Sequence, residues 1–130
     1  MKHRILVVED NAPNRELICD WLTAEGHEVS SVKDLDAAKG SIDKCAPDAV
    51  LLDVELGAED GLSLAAWMRN EPKLCAIPVI AVTAHALVTE QSRFLQAGCN
   101  ACVSKPVNFK VLREELERWL GDTTTSKMTS

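Results

Sequence analysis

No apolar run in this chain of 130 residues approaches the roughly 20 that a bilayer-spanning helix requires. A basic excess is lacking too. The formal charge is −6 and the pI near 5.0, which argues against the general nucleic-acid affinity that a basic face confers. The N-terminal Met1-Lys2-His3-Arg4 leads straight into a strand-like run rather than a secretory signal, so a cytoplasmic protein is expected. Cys19, Cys45, Cys75, Cys99 and Cys102 are odd in number, which makes a disulfide framework a poor fit and points to reduced thiols. Cys99 and Cys102 have C-x-x-C spacing, but Cys102 falls inside a strand-like run and no second pair or His-x-x-x-His completes a metal shell. The cysteines are therefore expected to pack as small buried apolar side chains.

What the chain does have is enough apolar content for one domain: 46% of residues are hydrophobic and 26% charged. Near-continuous apolar runs at Ile5–Val8, Ala49–Leu52 and Val79–Val82 read as strands buried on both faces. The more mixed His27–Val32 suits a sheet edge, and Ala101–Ser104 supplies a fifth strand. Between them lie helical spacings: Leu17, Trp21 and Leu22; Leu62, Ala65, Ala66 and Met68 with Trp67; Leu87, Phe94 and Leu95; and Phe109, Leu112, Leu116 and Trp119. Ala37, Ala38 and Ile42 mark a weaker helix interrupted by Gly40. Trp21, Trp67 and Trp119 are expected to serve packing. Gly26, Gly98 and Gly121 fall where helices should close, and Pro72 and Pro78 bracket a loop. Strand–helix alternation with right-handed crossovers predicts a doubly wound α/β fold with a five-stranded parallel sheet and helices on both sides. Residues 122–130 lack the apolar content to order themselves, leaving 1–121 as the domain and 122–130 as a flexible tail.

Four apolar runs end in chemistry. The first runs into Glu9-Asp10, the second into Asp53, the third into Thr83-Ala84 and the fourth into Lys105-Pro106. Open α/β sheets place their sites outside the carboxyl ends of parallel strands, so these residues should converge on one rim. Carboxylates gathered there repel one another unless a cation sits among them. An all-oxygen set that also approaches phosphate favours Mg²⁺, with Mn²⁺ as a substitute. Glu9 and Asp10 would hold the metal, and Asp53 would give one oxygen to it while the other attacks a phosphoryl group in line. Lys105 and the Thr83 hydroxyl would stabilise the phosphoryl oxygens. Lys105–Pro106 is a candidate cis peptide, because the cis form is cheap only before proline.

The motifs Leu6-Val7-Val8-Glu9-Asp10-Asn11, Leu51-Leu52-Asp53, Asp60-Gly61, Val82-Thr83-Ala84 and Ser104-Lys105-Pro106, in this order, resemble the receiver domain of two-component response regulators. The likeness spans about residues 3 to 120. It implies a flavodoxin-like sheet of order 2-1-3-4-5 with five helices. It also implies Mg²⁺ binding and phosphorylation of Asp53 by a phosphohistidine on a histidine kinase or histidine phosphotransfer protein. Glu9 and Asp10 would be the metal acids, with the backbone carbonyl of Glu55 as a further ligand, and Thr83, Ala84 and Lys105 the phosphate-sensing residues. The output would be a protein contact through the fourth helix, fifth strand and fifth helix, made by a monomer or a weak phosphorylation-dependent dimer. Such a chain is a phosphoacceptor, with at most self-catalysed phosphotransfer and autodephosphorylation, rather than an enzyme. The native-looking start favours a stand-alone regulator; a receiver cut from a hybrid histidine kinase is the alternative.

Some positions depart from the family pattern. Gly57 replaces a usual proline, so the loop after Asp53 should be looser. Cys102 stands where the family usually has an aromatic switch residue, and the chain has no tyrosine. Glu55 and His85 flank the expected phosphate and could tune its lifetime in either direction, or be solvated rim side chains. Three other functions are weighed. A haloacid-dehalogenase-like phosphatase would need an Asp-x-Asp pair, where Asp53 is followed at the second position by Glu55, and a cap for which no length remains. A flavin carrier would need a Ser/Thr/Gly-rich loop in place of Glu9–Asn14. A receiver-like domain that binds without phosphorylation would not need the intact acid set.

Overall fold

The computed structural model describes residues 3–56, 59–84 and 88–121. Strands β1 (Arg4–Val8), β2 (Glu28–Val32) and β3 (Ala49–Asp53) alternate with helices α1 (Ala12–Ala24) and α2 (Leu35–Lys44). A short hairpin, β4 (Glu55–Leu56) and β5 (Glu59–Asp60), leads into α3 (Leu62–Arg69). Strand β6 (Val79–Thr83), helix α4 (Val88–Gln96), strand β7 (Ala101–Ser104) and helix α5 (Phe109–Leu120) complete the order. The main sheet runs β2-β1-β3-β6-β7 with every pair parallel, which is the predicted 2-1-3-4-5 arrangement once the hairpin is set aside.

Strand alternation sorts the apolar side chains to two cores. Leu6, Val8, Val50, Leu52, Val79 and Ala81 meet Ala38 and Ile42 of α2, Leu64, Ala65 and Met68 of α3, and Phe94 of α4. Ile5, Val7, Leu51, Ile80 and Val103 meet Ile18 and Leu22 of α1 and Leu112 and Leu116 of α5. Strands β3 and β6, central in the sheet, are buried at every position, whereas β2 has no fully buried residue and is exposed or half-buried throughout, as an edge strand is. The starts of α1, α2 and α5 are capped by side chains: Asn11 accepts from the Asn14 N–H, Asp34 from Ala37, and Asn108 from Lys110 and Val111. Helix α2 continues through Gly40.

The helical phase differs from the sequence reading at three places. Leu17, Leu95 and Trp119 are 58%, 54% and 39% exposed, not laid on the sheet. Ile18 is buried in place of Leu17, and of the expected pair Phe94 and Leu95 only Phe94 is buried, because a step of one residue along a helix turns the side chain by about 100°. Trp21 and Trp67 do pack, Trp21 stacked on Phe109 at 4.9 Å, while the Trp119 indole donates to Glu115 at the surface. Of the cysteines, Cys99 is buried, Cys19 and Cys102 are half-buried, and Cys45 and Cys75 are exposed, so the expectation of burial fails for the last two. Burial pushes the Cys99 and Cys102 thiols up to about 12 and about 11. That is the reverse of what a reactive C-x-x-C pair needs.

Arg69 locks the end of the sheet away from the site-bearing rim. Its guanidinium donates to the carbonyls of Gly98 (2.8 Å), Cys75 (2.9 Å) and Ile77 (3.0 Å) and to Asn100 Oδ1 (2.6 Å), which also accepts from the Val79 N–H. Arg69→Ala should lose about 2 kcal/mol, since it strands these acceptors. Arg69→Lys should recover only part of it, because an ammonium cannot form the fork. Urea unfolding of the two variants with equal midpoints would contradict this role.

Candidate functional site

All five main-sheet strands point the same way, so the residues following their carboxyl ends share one rim. Glu9 and Asp10 follow β1, Asp53 ends β3, Thr83 ends β6 and Lys105 follows β7. Ligand oxygens of Glu9, Asp10 and Asp53 lie within 4.8 Å of one another. Glu9 and Asp53 are each 2% exposed, and Asp10 faces solvent. Lys105 Nζ reaches Asp53 Oδ1 at 3.0 Å and lies 3.9 Å from Glu9 Oε1 and 4.0 Å from Glu55 Oε1. The Lys105–Pro106 peptide is cis, as expected.

Backbone groups hold these side chains in place. Glu9 Oε2 accepts the Asn11 N–H at 3.1 Å, and the Glu9 carbonyl accepts from the Arg15 guanidinium at 2.9 Å. Asp53 Oδ1 accepts the Glu55 N–H at 3.0 Å, whereas the buried Asp53 Oδ2 has no hydrogen-bond partner among the described residues. Burial, and the adjoining Asp53 carboxylate, push Glu9 up to about 7 despite the Asn11 N–H and Lys105. For Lys105, burial opposes the charge, but the bond to Asp53 and the surrounding carboxylates outweigh it and hold the ammonium above its ordinary range. A buried carboxylate oxygen without a donor, beside a second acid that resists ionisation, is a donor set short of a cation. The chemistry fits a hard divalent ion.

Glu55 behaves differently from a solvated rim residue. Its Oε2 accepts the Thr83 hydroxyl at 2.5 Å and its Oε1 accepts the Ala84 N–H at 3.2 Å. The sequence carried no sign of this contact, because Glu55 and Thr83 are 28 residues apart. Arg15, in the first turn of α1, reaches back to the Glu9 carbonyl. The loop after Asp53, expected to be loose, pairs as a hairpin on either side, Glu55 with Asp60 and Leu56 with Glu59. Gly57 and His85 lie outside the described residues. Cys102, at the place of the aromatic switch, is half-buried against the α3–α4 core.

A doubly wound sheet with an acid cluster, a lysine and a threonine on its carboxyl rim is the layout of a signalling receiver, not of a flavin carrier. The family model described as response regulator receiver domain matches residues 5–117. The polar-differentiation response regulator DivK of Brucella ovis is 36% identical over 126 residues, covering 94% of this chain and 99% of that protein. A crystal structure of the receiver domain of sensor histidine kinase PA1611 from Pseudomonas aeruginosa, with a magnesium ion coordinated in its active-site cleft, is 35% identical, covers 94% of this chain and 100% of that one, and superposes with a TM-score of 0.84. The receiver domain of NtrX from Brucella abortus is 30% identical with a TM-score of 0.82, covering 91% and 98% of the two chains. The chain belongs to the response regulator receiver family. It is a phosphoacceptor domain of two-component signalling rather than an enzyme of the phosphatase kind. Among the described residues no helix is long and apolar enough to cross a membrane.

Proposed function

We propose that Asp53 accepts a phosphoryl group from a phosphohistidine on a histidine kinase or histidine phosphotransfer protein. An Asp53 oxygen attacks phosphorus as the P–N bond to the histidine breaks, leaving an aspartyl-phosphate and a free imidazole. The side chains of Glu9, Asp10 and Asp53 and the backbone carbonyl of Glu55 would hold Mg²⁺, or Mn²⁺ in its place. When bound, the ion neutralises charge on the phosphoryl oxygens. Lys105 supplies a fixed positive charge to one such oxygen, and the Thr83 hydroxyl and Ala84 N–H donate to another. Residues 1–121 act as the unit that switches, and its output is a changed protein-binding surface over α4, β7 and α5. A cleft of about 360 Å³ beside the site, lined by Leu17, Ile18, Pro106 and Val107 with Asn14, Glu9 and Lys105, suits the approach of the donor protein.

The observation that supports this reading best is the ammonium of Lys105 at 3.0 Å from Asp53 with two further acids gathered on the same carboxylate. Labelling with radioactive acetyl phosphate tests it. Wild-type protein should take up label that needs Mg²⁺ and is released by base or hydroxylamine, and Asp53→Asn should take up none. An unlabelled wild type, with metal binding demonstrated in the same sample, would remove the proposal.

A further inference from the structure

Every donor that the proposed function assigns to the phosphoryl oxygens already faces an anion. Glu55 Oε2 accepts the Thr83 hydroxyl, Glu55 Oε1 accepts the Ala84 N–H, and the same Oε1 lies 4.0 Å from Lys105 Nζ. Thr83 is fully buried, so the carboxylate reaches inward from a hairpin to meet it. The backbone of Glu55 is tied down by its N–H bond to Asp53 and its ladder pairing with Asp60. The side chain is not: 38% of it is exposed, leaving a path to water.

Resting on the receiver reading, we infer that the Glu55 carboxylate is the resting occupant of the phosphoryl cradle, and that modification of Asp53 exchanges this internal anion for the incoming one. Two anions cannot share the cradle, since they compete for the same donors and repel each other. A phosphoryl group carries more charge and three acceptor oxygens, so it is the stronger occupant and Glu55 swings out. The resting contact holds Thr83 in position before phosphorylation and weakens the binding of any phosphoryl-like ligand, because two charge-assisted bonds must break first.

Beryllofluoride, which binds the Asp53 carboxylate in the shape of a phosphoryl group, provides the probe. Titrations with Mg²⁺ present, followed by fluorine NMR, should show half-saturation on the order of tenfold lower in Glu55→Ala than in wild type, the loss of an ionic hydrogen bond being of that size. Glu55→Gln, which keeps shape and loses charge, should fall between. In wild-type protein with carbon-13 in its glutamate carboxyl groups, the Glu55 resonance should move on addition of beryllofluoride toward that of a solvated glutamate. Equal or weaker beryllofluoride binding in both variants, or a Glu55 resonance that stays in place, would overturn the inference while leaving the receiver reading intact. Absence of binding to wild type and variants alike would instead strike the receiver reading itself.

Discussion

Gly61→Ala is expected to destabilise the protein by about 3 kcal/mol and to lower its melting temperature by about 10 °C. The glycine is not there for its backbone angles, which are ordinary helical values of φ −57° and ψ −27°. It is there because a β carbon would lie 2.5 Å from the Asp53 carbonyl oxygen and 3.1 Å from both the Cα and the carbonyl oxygen of Val54. These are backbone atoms and cannot rotate away. Relief must come from moving the end of β3 or the start of α3, which are tied by the Gly61 N–H to Val54 carbonyl bond at 3.2 Å. Moving the end of β3 shifts Asp53, the proposed phosphoacceptor, and moving α3 pulls on the same strand end through that bond. Labelling by acetyl phosphate should fall by at least about tenfold in molecules that remain folded, because small misplacements of a reacting group are costly. A variant with unchanged melting and labelling would show that the approach of α3 to Asp53 is not tight.

The second large effect is a fall of stability with rising pH that metal largely cancels. Glu9 is pushed up to about 7 in the fold, from about 4.5 in the unfolded chain. A carboxyl group with a raised folded pKa contributes its stability below the unfolded value and loses it as pH rises through the folded one. Without divalent ions, stability should therefore fall between about pH 4.5 and pH 7 by roughly 3 kcal/mol, the free energy of forcing this buried acid to ionise. Mg²⁺ favours the ionised cluster, so its stabilising effect should be small at pH 5 and reach about 2.7 kcal/mol at pH 8 with a hundredfold excess over Kd. Glu9→Gln should behave oppositely to a typical site mutation. In EDTA at pH 8 it should be more stable than wild type by on the order of 2 kcal/mol, because an uncompensated buried charge has gone. Thermal melts in EDTA and in Mg²⁺ at pH 5 and pH 8 decide the matter; a metal effect of equal size at both values would contradict it.

Much of the site was legible because each of its members follows an apolar run. A strand buried on both faces must be almost wholly apolar, so Glu9, Asp53 and Lys105 stand out by position alone, and parallel pairing brings the strand ends together. The cis Lys105–Pro106 bond was likewise readable, since only proline makes it cheap. The β4–β5 hairpin was not, because two-residue strands have no periodicity to detect. Nor was the exposure of Leu17, Leu95 and Trp119, where the pattern left the helix rotation open by one residue.

The order of strands and helices, the acids at the strand ends and the parallel sense of the sheet were determined by local composition, since burial on both faces admits one kind of side chain and crossovers admit one hand. Tertiary structure alone decided that Glu55 turns onto Thr83 and Ala84, and that Gly61 lies against the Asp53 carbonyl. Both depend on distances between elements that touch only after the sheet has formed, and such distances are set by packing rather than by any repeat along the chain.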